Sequence, residues 1–320
     1  MKIAIEVNKL CKTYEDGLEA LKGIDLSIPA GSFYGLLGPN GAGKTTTIGI
    51  ITGLVNITSG NASIMGYDSV KQFRQARRLL GLSPQELNFD VFFSIEELLE
   101  LQAGYYGLSA KEAKERTEIM LEQFGLIDKR KSRARQLSGG MKRRVQIAKA
   151  LVHDPPIVIL DEPTAGVDIE LRHMLWDYLK KINNEGKTIL LTTHYIEEAE
   201  QLCETISIID NGKIIASDAP ERLIQSYGMS GVEVTLSSET EKFELNKWKF
   251  HKINGKVYVD TMRPEKEIAS ILNKFSVQNC DIQNVKIYRS SLEDVFMKLT
   301  GKSIREQDDR SRKHNEDAHV

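Results

Sequence analysis

The sequence predicts an α/β fold in which parallel strands alternate with crossover helices, followed by a small α+β domain. Two observations lead to this prediction. Short apolar runs at residues 157–160, 188–192 and 205–209 are separated by helical segments, which is typical of a parallel sheet covered on both faces. After Gly228 the pattern changes to short alternating strands and amphipathic helices, which indicates a second compact unit.

The first 35 residues predict β-structure. Strands are expected at residues 6–10 and 23–28, where branched apolar residues alternate with polar ones. A third, fully apolar strand at residues 33–37 runs into a glycine-rich loop. A helix is expected to follow from Lys44 to about Leu54.

Two capping boxes predict helices between residues 94 and 125. Ser94 is followed by Glu97, and Ser109 by Glu112. In each pair the serine suits the N-cap, and the glutamate three residues later can bond back to the serine backbone. This part of the chain is therefore expected to be helical.

The region after Gly228 is expected to form an α+β unit over residues 229–300. Strands are predicted at residues 232–236, 256–260 and 285–289, and helices at residues 265–275 and 291–299. Its separate composition motivates the hypothesis of a regulatory or dimer-steadying role. Residues 301–320 are rich in charges of both signs, which predicts a disordered tail.

Composition narrows the class of protein. The 320 residues are 41% hydrophobic and 28% charged, with a net charge of −2, which is ordinary for a globular protein. Without an overall basic field, we expect no nucleic-acid partner. The three cysteines, Cys11, Cys203 and Cys280, form no metal-binding pair, which favours core thiols in a reducing compartment. No apolar run reaches the roughly 18 residues of a membrane span.

A phosphate-binding motif follows the third strand. Its residues are Gly38, Pro39, Asn40, Gly41, Ala42, Gly43, Lys44 and Thr45, which match G-x-x-x-x-G-K-[ST]. The glycines let backbone N–H groups turn toward a phosphate, Lys44 adds a positive charge, and the Thr45 hydroxyl can bind Mg²⁺. A glycine-rich turn without a ligand is the alternative, but the strand–loop–helix context disfavours it.

Two acidic residues end a later strand. Asp161 and Glu162 follow the apolar run at residues 157–160. An aspartate at such a strand end can hold the nucleotide's Mg²⁺, and Glu162 can act as the base that polarises the attacking water. The alternative is a pair of acids that caps the next helix.

A second candidate anion site lies between these two motifs. Ser138, Gly139 and Gly140 precede a helix that is predicted to begin near Met141. A hydroxyl and free backbone N–H groups at a helix N-terminus favour an anion. Alone, the tripeptide would indicate only a loop.

In this order, the three motifs resemble the ATP-binding cassette (ABC) family, whose signature is Leu-Ser-Gly-Gly-Gln. Met141 stands at the glutamine position. The resemblance covers residues 3–225 and implies a P-loop NTPase cassette. Its nucleotide-binding domain, at residues 1–228, would combine a mixed sheet core, an antiparallel β subdomain and a helical subdomain at about residues 90–155.

The resemblance implies roles for further residues. Tyr14 would stack on adenine, and Thr46 would join the nucleotide contacts. Gln85 would sense Mg²⁺ and couple to the membrane partner, and Asp168 would lie where two cassettes communicate. His194 would be the switch histidine near the γ-phosphate. The implied nucleotide contacts include Ser138, Gly139 and Gly140, the metal ligands are Thr45, Gln85 and Asp161, and the catalytic residues are Glu162 and His194.

Within the family, the chain resembles bacterial export-type cassettes, including antibiotic and multidrug exporters. Residues 35–38, 160–168, 192–195 and 291–296 carry this likeness. It implies an ATPase, peripheral on the cytoplasmic face, that docks on a separate polytopic permease through residues 85–101. Since one chain carries one phosphate loop and one signature, it also implies a head-to-tail homodimer. An importer subunit and a soluble cassette acting on DNA or ribosomes remain open alternatives.

Overall fold

A computed structural model describes residues 2–90, 92–237, 243–245, 247–253, 255–261 and 263–301. The chain divides into two compact units between Asp218 and Ala219. This division comes ten residues earlier than the boundary expected from the sequence, because the helix Pro220–Tyr227 packs against the helix Leu292–Thr300. The charged tail predicted after Gly301 lies outside the described residues.

The first unit contains two sheets and seven α-helices among the described residues. In order, its elements are β1 (Ile3–Thr13), β2 (Glu19–Pro29), β3 (Phe33–Leu37), α1 (Lys44–Ile51), β4 (Ser59–Ile64), β5 (Tyr67–Asp68), α2 (Phe73–Arg78), β6 (Leu80–Ser83), α3 (Ile95–Tyr105), α4 (Ala110–Gln123), α5 (Gly139–Leu151), β7 (Ile157–Asp161), α6 (Ile169–Asn184), β8 (Thr188–Thr193), α7 (Ile196–Leu202), β9 (Thr205–Asp210) and β10 (Lys213–Asp218). Both the predicted α/β class and the mixed sheet are confirmed.

The larger sheet of this unit has the strand order β10-β9-β3-β8-β7-β6. All neighbours are parallel except the antiparallel edge strand β10. Every residue of β3, β7 and β8 is buried, as their near-continuous apolar sequences predict. Because β3, β6, β7 and β8 are parallel, their carboxyl ends meet at one edge of the sheet, where ligands bind in open α/β sheets.

The smaller sheet is antiparallel, with the order β2-β1-β4-β5. Apolar residues of β1 and β2, among them Ile5, Leu10 and Ile28, share a buried cluster with Leu36 of β3 and Ile159 of β7. The core therefore lies between the two sheets. Because that packing holds β3 and β7 in place, it also fixes the loops that follow them.

Helices α3, α4 and α5 lie between β6 and β7 in the chain. Both predicted capping boxes are confirmed: Ser94 caps α3 with Glu97, and Ser109 caps α4 with Glu112. Helix α5 begins at Gly139, slightly earlier than predicted. No helix among the described residues is long and apolar enough to cross a bilayer.

His153, just after α5, makes the stability of this unit sensitive to acid. Its ring stacks on Tyr106 with 3.5 Å between centroids, and its Nε2 lies 3.0 Å from the Leu80 carbonyl oxygen. Burial lowers the pKa of His153 from 6.5 to about 4. The unfolded chain therefore binds the proton first, so the free energy of unfolding falls as pH drops from 6.5 toward 4.

We expect this loss to reach about 1.4 kcal/mol per pH unit. Urea unfolding at several pH values should show the slope in the wild type, and His153→Gln should flatten it. Carboxylates also titrate at the acid end of this window, but they are common to both proteins, so the difference between the two slopes belongs to His153. Equal slopes in the two proteins would contradict the assignment to His153.

The second unit is a four-stranded antiparallel sheet with helices. In order, its elements are α8 (Pro220–Tyr227), β11 (Ser230–Leu236), β12 (Phe250–Ile253), β13 (Lys256–Asp260), α9 (Pro264–Val277), β14 (Ile282–Arg289) and α10 (Leu292–Thr300), and the strand order is β12-β13-β11-β14. Alternate residues of β11 and β13, such as Val232, Val234 and Val257, pack with Ile271 and Phe275 of α9. The predicted α+β character of this region is confirmed, although β12 was not predicted.

Candidate active site

The loop between β3 and α1 lies in a cleft of about 450 Å³. Gly43 has a φ of +111°, and a Cβ there would lie 2.8 Å from Leu21 Cδ2 and 2.9 Å from the Ala20 carbonyl oxygen. Gly41 has a φ of +77°. Both conformations favour glycine, so the sequence of the motif is required by the backbone it forms.

Lys44, the first residue of α1, lies beneath this loop. Its Nζ donates to the carbonyl oxygens of Gly38 (2.7 Å) and Pro39 (3.2 Å) and lies 4.0 Å from Glu162 Oε1. Burial lowers the pKa of Lys44, and the carboxylates of Glu162 and Asp161 oppose that shift. The loop thus holds a buried cation whose hydrogen bonds can be exchanged for phosphate oxygens.

Asp161, the last residue of β7, lies beside the next residue of α1. Thr45 Oγ1 donates to Asp161 Oδ2 at 3.3 Å, and Thr192 Oγ1 of β8 donates to Asp161 Oδ1. Burial raises the pKa of Asp161, which the hydrogen bond from Thr192 opposes. A hydroxyl and a carboxylate side by side are the hard oxygen donors that Mg²⁺ uses together with nucleotide phosphates, so these residues fit that ion.

Glu162 follows β7 in an unusual backbone conformation. Its φ is +49°, in the left-handed region that non-glycine residues seldom adopt. Its N–H donates to the Thr192 carbonyl oxygen at 3.0 Å. Its Oε2 accepts from Gln85 Nε2 at 2.9 Å and lies 3.2 Å from His194 Nδ1. The backbone hydrogen bond to Thr192 holds this strained residue in place, and the contacts with Gln85 and His194 fix its carboxylate in the cleft.

The charge state of Glu162 follows from the same neighbours. Burial by itself raises the pKa of Glu162, but the hydrogen bond and charge of His194, with the charge of Lys44, outweigh it and lower the pKa overall. The carboxylate is therefore ionised at neutral pH. An ionised carboxylate beside a phosphate site can accept a proton from water.

Tyr14 lies elsewhere along the cleft. Its hydroxyl and Thr46 Oγ1 are 3.2 Å apart, and Lys12 Nζ lies 4.8 Å from the centre of its ring. Both Tyr14 and Thr46 line the cleft. An aromatic ring beside a phosphate loop can stack on a nucleotide base.

Two groups of predicted site residues lie outside this cleft. Segment 138–140 forms the N-terminus of α5, where Ser138 Oγ accepts from the Met141 N–H at 3.3 Å. Asp168 caps α6 and accepts from the Leu171 N–H at 2.8 Å. Neither group lines the cleft. Asp161 and His194 do not line it either, but they contact Thr45 and Glu162, which do, whereas the hydrogen bonds of Ser138 and Asp168 stay at the start of their own helices.

The cleft also contains residues that the motifs did not predict. They are Leu18, Glu19, Ala20, Lys22, Asn211 and Gly212. Asn211-Gly212 is a turn signal that could have been read as the β9–β10 hairpin, but not as a wall of this cleft. Thr192 was also missed, although it bonds both Asp161 and Glu162.

The fold and the cleft together define a P-loop nucleotide hydrolase, because the phosphate loop, the paired acids and the histidine meet at the carboxyl edge of a parallel sheet. The ABC transporter family profile matches residues 21–165. The linearmycin resistance ATP-binding protein LnrL of Bacillus subtilis is 36% identical over 89% of this chain and 95% of its own length. The Nod factor export ATP-binding protein I of Cupriavidus metallidurans is 37% identical over 96% of this chain and 100% of its own length.

Solved structures agree with these relatives. The ATP-binding cassette MJ0796, as a dimer in a post-hydrolysis state with ADP and phosphate, is 30% identical, with a TM-score of 0.63 over 67% of this chain and 98% of its own. An ATP-binding subunit of an ABC transporter is 32% identical, with a TM-score of 0.66 over 70% of this chain and 93% of its own. The chain belongs to the ABC transporter family and is an ATP-binding, ATP-hydrolysing subunit. The predicted family and enzyme class are therefore confirmed.

Proposed function

We propose that this chain binds Mg²⁺-ATP between two copies of itself and uses hydrolysis to drive export through a separate polytopic permease at the cytoplasmic face of the membrane. The contact of Glu162 with Lys44, Gln85 and His194 carries the hydrolytic part of the proposal. The export part is supported by full-length relatives whose names describe export and resistance.

The nucleotide's phosphates would lie on the loop formed by residues 38–45. Lys44 would exchange its bonds to the Gly38 and Pro39 carbonyls for phosphate oxygens, and the N-terminus of α1 favours the same charge. Tyr14 would stack on adenine. Thr45 and Asp161, assisted by Gln85, would hold Mg²⁺. When bound, that ion would neutralise charge on the transferred phosphoryl group.

Hydrolysis would use Glu162 as the base for the attacking water. Its ionised side chain is held by hydrogen bonds, so little reorganisation is needed when water binds. His194 Nδ1 lies 3.2 Å from Glu162 Oε2 and would hold both the Glu162 carboxylate and the γ-phosphate end of the site in place. Thr192 positions the strained Glu162 backbone from the neighbouring strand.

A second copy of the chain would complete the site. Segment 138–140 presents a helix N-terminus that does not line the cleft of its own chain. Each ATP has one γ-phosphate, and each chain carries one phosphate loop and one such segment. A head-to-tail homodimer would place this segment over the partner's ATP. Asp168 would then lie at the dimer interface. The dimeric state of the related cassette MJ0796 supports this arrangement.

The permease would dock on the helical region. A groove of about 640 Å³ lies along α3 and the start of α4, and its lining includes Phe93, Leu101, Gly104, Tyr105, Leu108 and Ala113. Tyr105 is 84% exposed. An exposed and mostly apolar groove, which Glu97, Glu100 and Lys114 also line, suits the helix-in-groove mode of recognition. In the sequence, the groove begins a few residues after Gln85, which lines the nucleotide cleft.

Tyr105→Asp tests the docking proposal. A charge in the centre of an apolar interface should lower the amount of permease that co-purifies with the chain by about tenfold or more. The ATPase rate of the isolated chain should stay within about twofold, because the exposed side chain supports no core contact. The measurement is a pull-down of the tagged chain from detergent-solubilised membranes of its host.

Leu54→Asp is the matched control for this experiment. Leu54 is also highly exposed, at 71%, but it follows α1 and does not line the groove. The control should retain the permease. Equal recovery of the permease with both variants would contradict the proposed docking surface.

The two units of the chain would have different functions. Every residue that lines the cleft belongs to the first unit, so we assign nucleotide chemistry to the cassette. The second unit would be an accessory domain that steadies or regulates the dimer.

A further inference from the structure

Two buried polar side chains of α5 hold the segment that contains Gln85. Gln146 Nε2 donates to the carbonyl oxygens of Pro84 and Glu86, both at 2.7 Å. Arg143 Nη1 donates to the Pro84 carbonyl at 3.1 Å and to Gln146 Oε1 at 3.2 Å. The backbone on both sides of Gln85 is therefore tied to one helix.

This arrangement is buried and specific. Arg143 is 4% exposed and Gln146 is 5% exposed. Burial lowers the pKa of Arg143, and the carboxylates of Glu162 and Asp161 oppose that shift. Apolar residues could fill this space at less cost. Hydrogen bonds to carbonyl oxygens instead fix where the backbone around Gln85 must lie.

The same helix connects two functional regions of the chain. Its N-terminus is segment 138–140, capped by Ser138. One to two turns later, Arg143 and Gln146, at i and i+3, face the Gln85 segment together. Gln85 in turn donates to Glu162 at 2.9 Å. A continuous set of contacts thus runs from the signature to the carboxylate.

We propose that Arg143 and Gln146 are positioning residues, which fix the backbone on both sides of Gln85 and, through Gln85, the place of the Glu162 carboxylate. This inference rests on the proposed function, in which Glu162 is the base for hydrolysis. Loss of these hydrogen bonds would let the Pro84 and Glu86 carbonyls shift and, through Gln85, the base.

A double-mutant cycle tests the pathway. Gln146→Leu removes both bonds to the Gln85 segment and should lower kcat by about tenfold, with KM for ATP within about twofold, because the phosphate loop is untouched. Gln85→Ala should also lower kcat. If Gln146 acts through Gln85, the double variant should be no slower than Gln85→Ala alone. If the two substitutions lower kcat independently, so that their separate factors multiply in the double variant, the proposal is overturned.

Arg144→Met is the control for general damage to α5. Arg144 Nη1 donates to the Phe124 carbonyl at 3.4 Å, away from Gln85. It should lower the melting temperature without a tenfold loss of kcat. An equal loss of kcat in Arg144→Met would show that α5 stability, and not Gln85, is responsible. If Gln146→Leu does not fold, Gln146→Asn replaces it, because the shorter amide cannot reach both carbonyls.

Turnover of the wild-type chain separates this inference from the proposed function. A wild type that hydrolyses ATP, beside a Gln146→Leu variant that keeps its full kcat, overturns the positioning role but leaves the proposed ATPase function standing. Absence of any wild-type turnover would instead contradict the proposed function itself.

Discussion

Glu162→Gln is expected to lower ATP turnover by about 10³-fold while ATP binding is retained. Glutamine has the same shape and can still contact Gln85 and His194, but it cannot accept a proton from water. The loss should therefore be in kcat. In the presence of Mg²⁺-ATP, the variant should elute as a stable dimer, because hydrolysis no longer releases the two copies. Phosphate release and size-exclusion chromatography measure the two effects.

Glu198→Gln is the matched control for this variant. Glu198 is a fully buried glutamate on α7 that accepts a 2.9 Å hydrogen bond from Trp176 Nε1 and does not line the cleft. Burial raises the pKa of Glu198, against the hydrogen bonds that it accepts. Glutamine keeps the shape and one oxygen that can still accept from Trp176. Turnover of the control should stay within about threefold of the wild type. Normal turnover in Glu162→Gln would exclude Glu162 as the base.

Gly139→Asp is expected to abolish ATP-driven dimerisation and to lower turnover by about 100-fold or more. A Cβ at Gly139 meets no atom within 4 Å in the single chain. An aspartate in the first turn of α5 should even stabilise that helix by about 0.3–1 kcal/mol. In the dimer, however, its carboxylate would face the partner's γ-phosphate. Analytical ultracentrifugation with and without ATP measures the dimer.

Three further measurements make this result specific. The melting temperature of Gly139→Asp should be no lower than that of the wild type, and its affinity for ATP as a monomer should equal the wild-type value. Gly139→Asn, which has the same size without the charge, should dimerise better than the aspartate variant. A Gly139→Asp protein that dimerises and hydrolyses ATP normally would contradict the head-to-tail arrangement.

Local signals in the sequence accounted for much of this structure. The strands β3, β7 and β8 were predicted because burial on both faces requires continuous apolar runs. The helix starts at Ser94 and Ser109 were predicted because a capping box needs only neighbouring residues. The phosphate loop was predicted for the same reason, since its chemistry lies in consecutive residues.

Features that depend on distant parts of the chain were not predicted. Thr192 reaches Asp161 and Glu162 only because β7 and β8 pair in parallel register. The hydrogen bonds from Gln146 to Pro84 and Glu86 connect residues about 60 positions apart. Strand β12 is short and gave no clear alternation. The boundary near Asp218 depends on the packing of α8 against α10, which no local pattern records.

The left-handed backbone of Glu162 implies a compromise between stability and activity. A glutamate at a φ of +49° is held there at a cost of about 1 kcal/mol or more, which a glycine would not incur. The fold offsets this cost with the bond from the Glu162 N–H to β8. The chain therefore carries one of the six left-handed non-glycine conformations among its described residues at the position where its chemistry would occur, as proteins often do when function limits their stability.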